Sequence, residues 1–166
     1  DGSTPPMYSL AQIQHLMRVE FGRAQRYSYP IICLVVAIDS LGALRDRYGY
    51  DAKEEVVARV VGLVAEATRS CDYLGRMPDD RLMIVVPHTP PEQVARMAER
   101  LIAEVGTLTL PAVEGESLTL SIGASWMKSG ETLFFDDLMK TAERCAAEAN
   151  GAGGNRFLSR APEGLL

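Results

Sequence analysis

The chain has 166 residues, 47% of them hydrophobic and 23% charged, and a formal net charge of −5. That length suits one domain able to bury roughly 70% of its unfolded surface, and an acidic balance without a basic run argues against nucleic acid or an anionic membrane as partner. No apolar stretch approaches the ~20 residues of a membrane span, and no signal peptide is expected at the opening Asp1-Gly2-Ser3-Thr4-Pro5-Pro6. An opening without Met is expected of an excised fragment, with a sensory or receiver domain ahead of it in the natural protein.

In chain order, Leu10 to Arg26 has the period of an amphipathic helix that ends before Pro30. Pro30-Ile31-Ile32-Cys33-Leu34-Val35-Val36-Ala37-Ile38-Asp39 is a near-continuous apolar run and reads as a buried central strand. Ala52 to Arg69 sets Val56, Val60, Leu63, Val64 and Ala67 on one helical face. A short strand follows, then a tight turn at Pro78-Asp79-Asp80 and a second strand from Arg81 to His88; the Pro-Asp pair favours a type I turn. Pro91 to Val105 repeats the helical stripe with Val94, Met97, Ala98, Leu101, Ile102 and Val105, and Pro91 suits a first helical turn. Ser117 to Met127 alternates as a strand, Asp136 to Asn150 is the last long helix with Gly151 behind it as a stop, and Arg156 to Ser159 is a final short strand.

The order is therefore α-β-α-α-β-β-α-β-α-β, and a hairpin in its middle makes the sheet mixed. The expected fold is α/β (α+β), with a mixed central sheet of about five strands surrounded by helices. Residues 1–9 read as a linker, 10–160 as the domain and 161–166 as a tail. Cys33 and Cys145 are expected as buried small hydrophobes of a reducing cytoplasm, and Cys71 as a packing or half-exposed residue. The three lack metal-ligand spacing. His15 and His88 belong to no acid or nucleophile pattern. No metal and no cofactor is expected.

The hairpin with Pro78-Asp79-Asp80-Arg81-Leu82 at its bend resembles the signature hairpin of GGDEF domains, the diguanylate cyclase family. Asp39, Tyr48-Gly49, Arg76, Ser121-Ile122-Gly123, Gly153 and Asn155 add scattered matches, so the resemblance runs from about Leu10 to Leu158. It implies a nucleotidyl-cyclase palm-like fold and a place in bacterial second-messenger signalling. Of the signature letters only Asp80 matches. Pro78 stands for a glycine and has no N–H to offer a phosphate, Asp79 stands for the second glycine, and Arg81 replaces an acidic metal ligand. Ala37 replaces the other metal-binding carboxylate; Leu41 and Gly42 stand for a Phe-Lys pair, Arg45 for a guanine-contacting Asn, Glu54 for a guanine-binding Asp, and Asn150 and Gly154 for two phosphate-binding cations. Metal-assisted phosphoryl transfer needs carboxylates to hold Mg²⁺. The expectation is no catalytic residue and no enzyme.

Five residues before this bend, Arg69 and Asp72 form an Arg-x-x-Asp pair, and Arg100 lies eighteen residues beyond Leu82. The resemblance makes these three the family's product-binding inhibitory site. A guanidinium can bond guanine O6 and N7 bidentately, while a carboxylate accepts from N1–H and N2–H₂. Cyclic di-GMP is therefore the expected ligand, bound at Arg69, Asp72 and Arg100, with the domain acting as its receptor in the cytoplasm. The alternative is a nucleotide-independent module that forms a homodimer or docks a partner protein. In that case Arg69 simply favours a helix C-terminus and Arg100 is a solvated helix position.

Overall fold

The computed structural model describes residues 6–127 and 134–162; residues 1–5 of the expected linker and 163–166 of the expected tail lie outside them. The described elements are β1 (Met7–Ser9), α1 (Leu10–Tyr27), β2 (Ile31–Ile38), α2 (Leu41–Tyr48), α3 (Tyr50–Ala67), β3 (Tyr73–Arg76), β4 (Leu82–Pro87), α4 (Pro91–Gly106), β5 (Leu120–Trp126), α5 (Phe135–Gly151) and β6 (Arg156–Ser159). The sheet runs β1-β3-β4-β2-β5-β6. It is mixed, as the hairpin required: β1 lies parallel to β3 and β6 parallel to β5, and the four central strands are antiparallel. Among the described residues six strands are present rather than about five. The additional one is Met7–Ser9, read from the sequence as linker, which pairs with Leu74–Arg76. Three residues are too few to display a period of two.

Strand β2 is central because it is apolar on both sides. Ile32 and Leu34 point into a core closed by α3 and α4, and Cys33 and Val35 into one closed by α1 and α5. Strand β4 is buried over its whole length. Each fully buried Ile or Leu contributes about 1.5–3 kcal/mol by leaving water, so this pair of strands fixes the sheet. Helix α1 begins with a capping box: the Ser9 hydroxyl accepts from the Gln12 amide at 3.2 Å, and the Gln12 side chain accepts from the Ser9 amide at 2.7 Å. Cys33 and Cys145 are buried as expected, while Cys71 is exposed.

Two contacts tie α5 and the chain after it to the sheet. A Cβ at Gly123 would run into the α5 backbone at Ala142 and Ala146, so the helix lies directly on the β5 backbone. Asp39, at the end of β2, collects the Ser121 hydroxyl at 2.5 Å, the Thr119 hydroxyl at 2.7 Å, and the Asn150 amide and Asn155 backbone N–H at 2.9 Å each. Gly154, at φ +74°, packs against that carboxylate with no room for a Cβ. Burial pushes the Asp39 pKa up, but these hydrogen bonds outweigh it and hold the carboxyl below its ordinary 3.8.

Gly123→Ala must push α5 off β5, and its expected effect is a loss of about 2–3 kcal/mol in urea unfolding; an unchanged midpoint would contradict the backbone contact. The depressed Asp39 pKa adds stability that is present above the unfolded value and lost as pH falls through the folded one. Asp39→Asn is therefore expected to lower the melting temperature at pH 7, with the gap to wild type closing as pH drops below about 3.8. Parallel melting curves from pH 7 to 2.5 would show the carboxylate to be unimportant.

Candidate functional site

Arg69, Asp72 and Arg100 line one cleft of about 300 Å³ between the end of α3 and the face of α4, together with Thr89, Gln93, Arg96 and Met97. Three elements build it. Helix α3 ends at Ala67, and the next residues make a tight turn in which the Asp72 amide donates to the Arg69 carbonyl at 3.0 Å. The Asp72 carboxylate is buried to 2% exposure. It closes that turn by accepting from the Arg69 backbone N–H at 2.8 Å, and it also faces the Arg69 guanidinium at 3.4 Å.

The guanidinium is fixed from its other side by the end of β4. Its Nη2 donates to the Pro87 carbonyl at 3.2 Å and to the Thr89 hydroxyl at 2.5 Å. Half of the Arg69 side chain remains exposed to the cleft. Arg100 lies on the α4 wall, 74% exposed, and pairs with Glu104 one turn on, at 2.8 Å. Such an exposed pair is worth under ~1 kcal/mol, so Arg100 exchanges partners at little cost. Arg96, one turn before it, has no ion-pair partner among the described residues.

The hairpin tip stands elsewhere. Asp80 N–H donates to the Met77 carbonyl at 3.0 Å across Pro78 and Asp79, and Asp80 adopts φ +68°. A left-handed residue closing a three-residue loop suits the twist of the flanking strands. Pro78 and Asp79 are exposed, and Asp79 pairs with Arg81 at 2.7 Å, so the two tip charges neutralise one another. Leu82 is a core residue of β4, 1% exposed, and presents nothing to solvent.

Asp80 turns inward to α3. It accepts from Lys53 at 2.9 Å and from Arg76 at 2.6 and 3.1 Å; Lys53 also bonds Glu54 at 2.9 Å, and Arg76 bonds Glu54 at 3.3 Å. Burial raises the Asp80 pKa, but the Lys53 and Arg76 contacts outweigh it and keep the carboxyl below its usual value. Glu54, named above as a guanine-binding substitute, is held ionised chiefly by Lys53, with Tyr50 and Arg76 beside it. Two acids and two bases thus bind the hairpin to α3.

Sequence reasoning overlooked Lys53, Thr89, Gln93 and Arg96. Thr89 gave no signal, since its role depends on where β4 ends. Arg96 could have been found from its spacing, one turn from Arg100 and on the Gln93–Met97 face.

The family model described as "Diguanylate cyclase, GGDEF domain" matches residues 7–156. Among curated proteins, the chain is 24% identical over 156 residues to "Probable diguanylate cyclase DgcC" of Escherichia coli K12, covering 94% of this chain and 42% of that protein. It is 27% identical over 143 residues to "Diguanylate cyclase DosC" of the same organism, covering 85% and 31%. The chain thus spans less than half the length of these relatives. In structure it is similar to the GGDEF domain of DgcB from Caulobacter crescentus, solved in complex with c-di-GMP, with TM-score 0.85, 18% identity and coverage of 93% of this chain and 92% of that one.

These comparisons correct one expectation. The substitutions at the bend led to the reading that the chain is no enzyme, whereas the matched relatives are named diguanylate cyclases. Side-chain identities at register positions do not by themselves decide whether a domain of this family is an enzyme. With nine-tenths of its length inside the family match and the mixed six-stranded sheet in place, the chain belongs to the GGDEF diguanylate cyclase domain family.

Proposed function

We propose that this domain binds cyclic di-GMP in the cleft of Arg69, Asp72 and Arg100 and serves as a sensor of that second messenger. The observation that carries the reading is the convergence of three guanidinium groups, Arg69, Arg96 and Arg100, on a single cleft beside a buried carboxylate. Arg69 is already fixed by Asp72, Pro87 and Thr89, so little side-chain entropy is lost when its free edge meets guanine O6 and N7. Arg100 leaves Glu104 for a phosphate or a base, and Arg96 adds a second cation along the same wall. Asp72 orients Arg69 and has lone pairs left for guanine N–H groups. The structure of the DgcB domain with c-di-GMP supports the same ligand class for a domain of this fold.

A second reading has one observation behind it. Arg69 already donates to Pro87 and Thr89, so it could be a strut that joins α3 to β4 in a module for a homodimer or a partner protein. Isothermal titration separates the two. Cyclic di-GMP is expected to bind at micromolar or tighter affinity, about −8 kcal/mol. Arg69→Ala and Arg100→Ala should each weaken binding at least tenfold on samples whose circular dichroism matches wild type. Absence of heat with the folded wild-type domain, or equal affinity in both variants, would refute the receptor reading.

A further inference from the structure

The anchor that fixes Arg69 is built around a residue that does not line the cleft. Arg69 Nη2 donates to the Pro87 carbonyl at 3.2 Å and to the Thr89 hydroxyl at 2.5 Å, and that hydroxyl donates in turn to Pro87 at 3.1 Å. His88 lies between the two receiving residues and adopts φ +59°, a left-handed conformation that a side chain with a Cβ disfavours. The segment just before β2 grips this residue twice. The His88 N–H donates to the Pro30 carbonyl at 2.7 Å, and the His88 ring stacks on that of Tyr29, with centroids 3.8 Å apart and planes inclined by 23°. Tyr29 is itself set by the end of α1. Ser28 caps that helix in the left-handed region, and the Tyr29 amide donates to the Ala24 carbonyl at 3.2 Å. Burial, and then the nearby Glu20 carboxylate of α1, push the Tyr29 phenol above its ordinary 10.0, so the ring meets His88 uncharged. Tyr29 packs on the core closed by α1 and α5, whereas the Arg69 cleft opens on the α4 side. At His88 a contact from one helical layer therefore crosses the end of the sheet to the other.

We infer that Tyr29 and His88 are positioning residues for the Arg69 cleft: their stacked rings hold the strand end that presents Pro87 and Thr89 to the guanidinium. The inference takes its ligand, cyclic di-GMP, from the receptor reading above, but its geometry stands without it. Neither residue lines the cleft, so both act through Arg69. Without the stack, His88 relaxes toward the more populated backbone region and carries Thr89 away from Pro87. Arg69 then loses the acceptors that fix it on the side away from Asp72. The cost of ordering its long side chain is thereby added to ligand binding.

Two readouts test this. The Arg69 Nε–H signal, identified by its loss in Arg69→Lys, is followed by ¹⁵N NMR without ligand, and cyclic di-GMP affinity is measured by calorimetry. His88→Asn removes the ring but tolerates the left-handed backbone, and Tyr29→Leu keeps an apolar contact without an aromatic face. Both are expected to move the Arg69 signal toward that of a free arginine and to weaken binding about fivefold, with the backbone amide spectrum otherwise that of a folded domain. His88→Phe returns a flat ring to the stack and is expected to leave the Arg69 signal in place and the affinity within about twofold of wild type. An Arg69 signal unmoved by both His88→Asn and Tyr29→Leu would overturn the inference, and so would equal losses in His88→Asn and His88→Phe. A folded wild-type domain that binds no cyclic di-GMP would refute the receptor reading alone, because the Arg69 signal is read without ligand.

Discussion

Strands β2 and β4 are buried on both faces, and that burial dictates where chemistry is allowed. Along β4 every residue from Leu82 to Pro87 is in the core, where an unpaired polar group costs several kcal/mol. Polar side chains are therefore confined to the strand's two ends. At the start of β4 the bend presents Asp79, Asp80 and Arg81; at its end Pro87 and Thr89 receive Arg69. The Arg69 cleft opens at the second of these ends, toward α4. The central strands act as a fixed spacer between the two ends.

The charged groups at the two ends differ in how they are held. Around Asp80, two acids and two bases saturate one another, with Lys53 only 10% and Asp80 18% exposed. Removing one partner would strand a charge in partly dry surroundings, so this network is a lock between hairpin and α3. At Arg69 the pairing is asymmetric: its partner Asp72 is buried, while half of the arginine remains in solvent. A cation anchored at one edge and open at the other is prepared for a ligand. Asp39 repeats the saturated pattern, with four hydrogen bonds that pin Asn150 and Asn155 to the sheet. Like Asp80 it matched the family in the sequence, and in the structure it joins α5 and β6 to β2.

Much of this was legible from the order of residues. The apolar run at Pro30–Asp39, the stripes of Val56–Val64 and Val94–Val105, and the Pro-Asp bend each carried a local signal, and local signals survive folding. The Arg-x-x-Asp pair and Arg100 were placed on one cleft by counting from the bend, and they do line one cleft. What escaped had no local cause. Met7–Ser9 is a strand only because Leu74–Arg76 offers it an edge. Lys53 gave no signal of its own, because its partner Asp80 lies twenty-seven residues away in sequence and meets it only in the fold. The inference from missing ligands to missing catalysis failed for the same reason, because it read a spatial property from a linear alignment of letters.

The receptor reading rests on one cleft, and the most direct measurement is a crystal structure of this domain grown with cyclic di-GMP. The account predicts guanine density against the free edge of Arg69, with Arg100 turned away from Glu104 toward the ligand. Ligand seated at the Pro78–Arg81 bend with the Arg69 cleft filled only by solvent would contradict it.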